Sequence, residues 1–132
     1  MVRNIIGFIV GYVAGTAVNF ALIMANMALM PAGTDFSTPE GVNAVMAQMG
    51  PVNYLVVFLA HGLGAFVGAV VCSLIAVSHR FVLSLVIGAL FMLGGIYAAA
   101  VIDAPLWFEA VDIVLAYIPM AWLGWKIAGG KD

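Results

Sequence analysis

Four runs of apolar residues, each long enough to cross a bilayer, take up most of this chain. They lie at about residues 4–30, 52–77, 81–102 and 106–128. A helix needs about 20 apolar residues to cross a hydrocarbon core roughly 30 Å thick. In lipid every backbone N–H and C=O needs a partner within the protein, so only helices and closed barrels span. Barrel strands alternate apolar and polar residues, and stretches such as Leu55-Val56-Val57-Phe58-Leu59-Ala60 do not. The reading is all-α: one polytopic transmembrane domain over residues 1–132, a four-helix bundle.

Composition closes the competing classes. Charged residues make up 8% of the chain, against roughly 25% in soluble domains. No cluster of Lys or Arg exists to neutralise phosphates, which excludes a nucleic-acid partner. Cys72 is the single cysteine, so no disulfide framework holds the fold. The first run resembles a signal peptide in its Arg3 start and its small residues at 24–28. Its apolar stretch of about 25 residues is too long for a signal core of roughly 7–15, and it reads as a span.

Direction follows from the basic residues. Arg3 precedes the first run, Arg80 sits in the tight turn between the second and third beside His79, and Lys126 and Lys131 flank the end of the fourth. The loops at 31–51 and 103–105 hold no Lys or Arg and carry Asp35, Glu40 and Asp103. By the positive-inside rule both termini are cytoplasmic. Within the outer loop, Ser37 with Glu40 fits a capping box, or Thr38 caps with Pro39 at the first helical position. Val42, Val45, Met46 and Met49 then recur on one helical face. A short helix on the outer surface is expected, either a connector or a lid over the bundle mouth.

Lipid tails are as apolar as leucine, so helices associate through close backbone approach, dispersion and hydrogen bonds. Small residues at four-residue spacing mark such faces. They occur as Gly7, Gly11 and Gly15 in the first run, as Ala60, Gly64, Gly68, Cys72 and Ala76 in the second, and as Ser84 with Gly88 and Gly95 with Ala99 in the third. They favour internal packing within the chain, while spacing alone also allows a homo-oligomer or a place in a larger membrane complex. The two halves of the chain share glycine spacing but no further repeat.

Ionisable residues within a span are costly and are functional candidates by default. Asp112 lies about two turns inside the fourth run, where insertion costs roughly 2.5–3.5 kcal/mol. Glu109 lies one turn nearer its outer end. His61 shares a face with Gly64, Ala65 and Gly68, and Asn19 is at similar depth in the first run. Asp112, His61, Asn19 and Glu109 are expected to form one polar cluster in the outer half of the bilayer, with His61 as the partner of Asp112. Pro119 frees the carbonyl of Leu115 and should kink the fourth run. One His without nearby Cys does not make a structural zinc site. His79 lies at the opposite end, which excludes a haem held by two histidines. No phosphate-binding loop, dinucleotide fingerprint or hydrolase motif is present, so neither metal nor cofactor is expected.

The stretches Leu59-Ala60-His61-Gly62-Leu63-Gly64, Val77-Ser78-His79-Arg80, Ala104-Pro105-Leu106-Trp107-Phe108 and Ala116-Tyr117-Ile118-Pro119-Met120-Ala121-Trp122-Leu123-Gly124 resemble small, uncharacterised four-helix membrane proteins of bacteria. The resemblance covers most of residues 55–128. It implies a bacterial inner-membrane protein and transfers no activity to any residue. Two functional classes follow from the sequence. The first is a non-enzymatic scaffold, assembly factor or accessory subunit whose intramembrane polar groups tie helices together. The second is a small proton- or cation-coupled transporter or channel that uses the Asp/His cluster.

Overall fold

The computed structural model describes residues 1–30 and 33–132. Pro31 and Ala32, with which the outer loop expected over 31–51 begins, lie outside the described residues. The helices, in order, are α1 (Val2–Ala28), α2 (Pro39–Met46), α3 (Pro51–Ile75), α4 (Arg80–Val101), α5 (Leu106–Leu115) and α6 (Ile118–Ile127). No strand occurs among the described residues. α1, α3, α4 and the stretch Leu106–Ile127 are long and apolar enough to cross a membrane, and the fold is an all-α, four-span bundle. Observed helix ends differ from the apolar runs by up to two residues.

α3 is the spine. α1 lies along it over most of its length, α4 and α6 pack on other sides, and α1 meets α4 only slightly. The α1–α3 seam is made by backbone. Gly7, Gly11 and Gly15 are buried on α1, opposite Gly64, Gly68, Cys72 and Ala76. A Cβ on Gly11 would stand 2.5 Å from the Gly68 carbonyl oxygen and 2.8 Å from Cys72 Cβ. No side chain fits there, and the ladders are taken up by contacts within the chain. Cys72 is one rung of that packing. Gly88 does the same for α4 against α6, where an added Cβ would meet that of Ala121 at 2.7 Å. Gly95 corrects its expected role. A Cβ there would strike the Tyr117 phenol, so Gly95 is a notch for a side chain and not a point of backbone contact. Neighbouring Gly94 faces open space, with nothing within 4 Å of where a Cβ would stand.

Polar ties close both ends. At the end carrying the termini, Asn4 Oδ1 accepts from the Val77 N–H at 3.0 Å and Asn4 Nδ2 donates to Ser78 Oγ at 2.9 Å. His79 there adopts a left-handed backbone with φ 53°. At the other end Thr38 caps α2, accepting from the Gly41 N–H at 3.1 Å, with Pro39 at the first position. Ser37 instead donates through N–H and Oγ to Asp35 Oδ1, at 2.8 and 2.6 Å. Those bonds hold the Asp35 carboxyl below the usual carboxylate range. The turn therefore keeps them at neutral pH and loses them only as pH falls through that lowered value. α2 is anchored on two sides. Tyr54 donates to the Met46 carbonyl at 3.2 Å, while Asn43 donates to Asp103 Oδ2 at 3.2 Å and accepts from the Asp103 N–H at 3.0 Å.

The expected kink in the last span is a full break. α5 ends at Leu115, Ala116 and Tyr117 fall between helices, and α6 restarts with Pro119 in its first turn. Proline supplies no N–H to the Leu115 carbonyl, and its ring excludes a continuous helix. Tyr117, at φ −109° and ψ −78°, takes up the change of direction. α6 lies closely on α3 and α4, whereas α5 touches them at few points.

The seam and the open site on α4 predict opposite outcomes for the same kind of substitution. Gly11→Leu overpacks the α1–α3 contact and should cost about 1–3 kcal/mol or more, seen as a lower midpoint of thermal unfolding in mild detergent. Gly94→Leu should leave that midpoint unchanged. Equal tolerance at both positions would contradict the seam.

Candidate functional site

Three side chains meet where α5 breaks. Asp112 is 4% exposed and Tyr117 1% exposed. His61 Nδ1 lies 3.0 Å from Asp112 Oδ1 and 2.8 Å from Oδ2. The Tyr117 hydroxyl donates to Asp112 Oδ2 at 2.7 Å and stands 2.9 Å from the same His61 nitrogen. The His61 and Tyr117 rings stack, with centroids 5.6 Å apart and 27° between planes. A carboxylate only accepts hydrogen bonds. With Asp112 ionised, Nδ1 carries the hydrogen and donates to it; with Asp112 protonated, the acid donates to Nδ1. Either description holds one proton between the two groups. The second ring nitrogen, Nε2, makes no hydrogen bond among the described residues, and the side chain is 19% exposed. The arrangement holds one edge of the imidazole and leaves the other without a partner among the described residues.

Above this cluster lies a cavity of about 330 Å³. His61 and Asp112 form its floor, and α2 roofs it with Val42, Val45 and Met46, joined by Met49 just beyond the helix end. The amphipathic face read from the sequence thus lines this cavity, although the helix ends at Met46. Glu109, half-buried one turn above Asp112, forms part of the wall and makes no hydrogen bond among the described residues. The remaining walls are apolar apart from Asn26, whose Oδ1 accepts from Asn53 Nδ2 at 3.1 Å. Tyr54, Trp107 and Phe108 pack beside the mouth, with Tyr54 5.8 Å from Trp107 and 5.0 Å from Phe108 between ring centroids.

Of the four residues expected in one cluster, the structure joins His61 and Asp112 directly and sets Glu109 on the same cavity. Asn19 corrects the expectation. It does not bond to Asp112 or His61 but lines a second cavity of about 270 Å³, between α1 and α4, whose inner wall is His61 and Tyr117. The reason is positional: α1 sits on the small-residue side of α3, beside Gly64, and α5 approaches from elsewhere.

Sequence reasoning missed Tyr117. In an unbroken helix a residue five places from Asp112 lies about 140° around the axis and cannot share its face. The break at Ala116–Tyr117 brings the phenol back onto the carboxylate. The available signal was Pro119, which marks where helical facing stops being a guide. Among the described residues no group of three or more His, Cys, Asp or Glu is arranged to hold a metal ion.

Comparison with models of protein families, with curated proteins and with solved structures finds no match to this chain.

The hydrogen bonds among them couple the three side chains energetically. Hydrogen bonds between membrane helices average about 0.6 kcal/mol and reach about 1.7. In a double-mutant cycle, Asp112→Asn with Tyr117→Phe, and His61→Ala with Asp112→Ala, should each cost less than the sum of the single changes, by about 0.5–2 kcal/mol. Unfolding in mixed micelles reads this difference. Clean additivity would place the groups in separate environments.

Proposed function

We propose that this chain is a small proton-coupled transporter. The observation that carries the proposal is the position of the Asp112–His61–Tyr117 cluster: it forms the floor of a mainly apolar cavity under a lid helix. A tie that merely holds helices together needs no adjoining cavity and leaves no ring nitrogen free. The scaffold or accessory-subunit role suggested by composition gives neither feature a use. In the transport reading, a ligand occupies the cavity beneath α2, and His61 Nε2 exchanges a proton or hydrogen bond with it. The Asp112 carboxylate and Tyr117 hydroxyl orient the imidazole and balance its charge when it is protonated. Intramembrane carboxylates and histidines serve as proton relays in pumps and transporters for the same electrostatic reason.

The distribution of Arg3, Arg80, Lys126 and Lys131 supports a bacterial cytoplasmic membrane with both termini inside and α2 on the outer face. The cavity then opens toward the outside. A reporter enzyme active only outside the cytoplasm should be silent after Asp132 and active when inserted at Gln48. The reverse pattern would invert the site.

Proton uptake at a buried site moves charge through part of the membrane without any substrate. Proteoliposomes adsorbed on a solid-supported membrane should give a transient current when the pH outside is stepped. Asp112→Asn should abolish it and Glu40→Gln, on the exposed face of α2, should preserve it. A current no larger than that of protein-free vesicles, or one unchanged in Asp112→Asn, overturns the transport reading.

A further inference from the structure

His61 and Gly95 line both cavities. One cavity lies under α2; the other lies in the gap left where α1 and α4 diverge along α3. The second is bounded by Tyr12, Thr16 and Asn19 of α1 and by Leu90, Phe91 and Gly94 of α4. Its rim is exposed. Tyr12 and Leu90 are each 38% exposed, and Gly94 has no neighbour on its open side. His61 stands ten residues into α3, about 15 Å below the α2 end of that helix at 1.5 Å per residue. The gap therefore opens sideways, within the hydrocarbon layer, and not into water.

Polar atoms line that opening. Thr16 satisfies itself by donating to the Tyr12 carbonyl at 2.8 Å. Asn19 does not: its half-buried carboxamide has no hydrogen-bond partner among the described residues. His61 Nε2 is likewise unpartnered, because Nδ1 takes the bonds to Asp112 and Tyr117. An amide and an imidazole nitrogen facing hydrocarbon without partners are unfavourable. Their position at the inner end of a cleft with apolar and aromatic lips defines a ligand. It has a small head that both donates and accepts hydrogen bonds, and an apolar chain that leaves past Leu90 and Gly94. The head is uncharged, because no Lys, Arg, Asp or Glu lines the α1–α4 cleft and a phosphate headgroup does not sit at this depth.

We infer that the α1–α4 cleft is a lateral portal for a hydroxyl-headed, chain-bearing lipid, whose head is held by Asn19 and His61. The inference deepens the transport reading and rests on it for the role of His61, in that it names the ligand class of the same site and its route from the bilayer. Phe91 packs against Tyr12 with ring centroids 5.4 Å apart, so the two rings together form one wall beside the chain.

The test uses a hexadecanol carrying a photoreactive diazirine in its chain, with the same chain lacking the hydroxyl as reference, on the full-length protein in liposomes. Labelled residues are located by peptide mass spectrometry. The alcohol should label Tyr12, Leu90, Phe91 and the segment around Gly94 above the level of the hydroxyl-free chain, and unlabelled hexadecanol should compete while hexadecane should not. Asn19→Leu, which keeps the branched shape and removes the amide, should lower this labelling about tenfold, the change given by one hydrogen bond of ordinary strength, and Gly94→Trp, which fills open space, should lower it at least as much. Gly94→Ala should keep it. Identical labelling by both chains, or labelling indifferent to Gly94→Trp and Asn19→Leu, overturns the portal. Labelling reads occupancy without proton movement. A portal that labels while the pH step gives no current retains the lipid site and removes proton coupling; a current without specific labelling does the opposite.

Discussion

In hydrocarbon an apolar side chain gains nothing by turning inward, so this bundle depends on how closely two backbones approach. The seam from Gly7 to Gly15 against Gly64 to Ala76 is that contact. It fixes α1 along α3 at a separation no side chain can enter, and dispersion summed over several turns replaces the hydrophobic term. The same constraint shapes the empty space. Held so tightly to α3, α1 has little surface left for α4, and the two part where Gly94 faces outward. The cleft is a geometric consequence of the seam.

A second constraint acts on the last span. Pro119 removes one backbone donor, and the helix breaks at Ala116–Tyr117. The break divides labour. α6 packs on α3 and α4 through Gly88, Ala121 and Gly124, where a Cβ on Gly124 would lie 2.5 Å from the Phe66 carbonyl oxygen. α5, free of that packing, stands off from the bundle and leaves room beneath α2. A straight helix would have carried the tight packing up to Glu109 and closed the cavity.

The sequence made the architecture legible because the bilayer allows few solutions. Length and apolarity set four spans, and small-residue spacing placed Gly7, Gly11, Gly15, Gly64, Gly68 and Gly88 at contacts. His61 and Asp112 were legible as a pair, since both are costly alone at similar depth. Asn19 and Tyr117 were not correctly placed, for one reason. Depth can be counted along a chain, but azimuth around a bundle depends on which faces pack. Asn19 shares the depth of His61 and lies around the other side of α3. Tyr117 shares the face of Asp112 only because the helix between them is interrupted. Gly95 fell into a spacing pattern that it satisfies without the backbone contact the pattern implies; what meets it is a phenol.

Structural glue and functional site are commonly set against each other for a polar group in a membrane helix, and here the geometry makes them one arrangement. Asp112 hydrogen-bonds two partners on two separate helical segments, His61 on α3 and Tyr117 at the α5–α6 junction, and so ties the broken span back to the spine. The tie uses Nδ1 of His61 and leaves Nε2. A histidine used only as glue gains by bonding through both nitrogens, because an unpaired polar atom away from water costs more than an ordinary hydrogen bond returns. His61 instead forms part of the wall of two cavities. The cost of keeping Nε2 unpartnered is offset by the bonds at Nδ1, which hold the ring in place whether or not a ligand is present. Orientation is therefore supplied in advance, and a molecule arriving at Nε2 need only provide its own hydrogen bond.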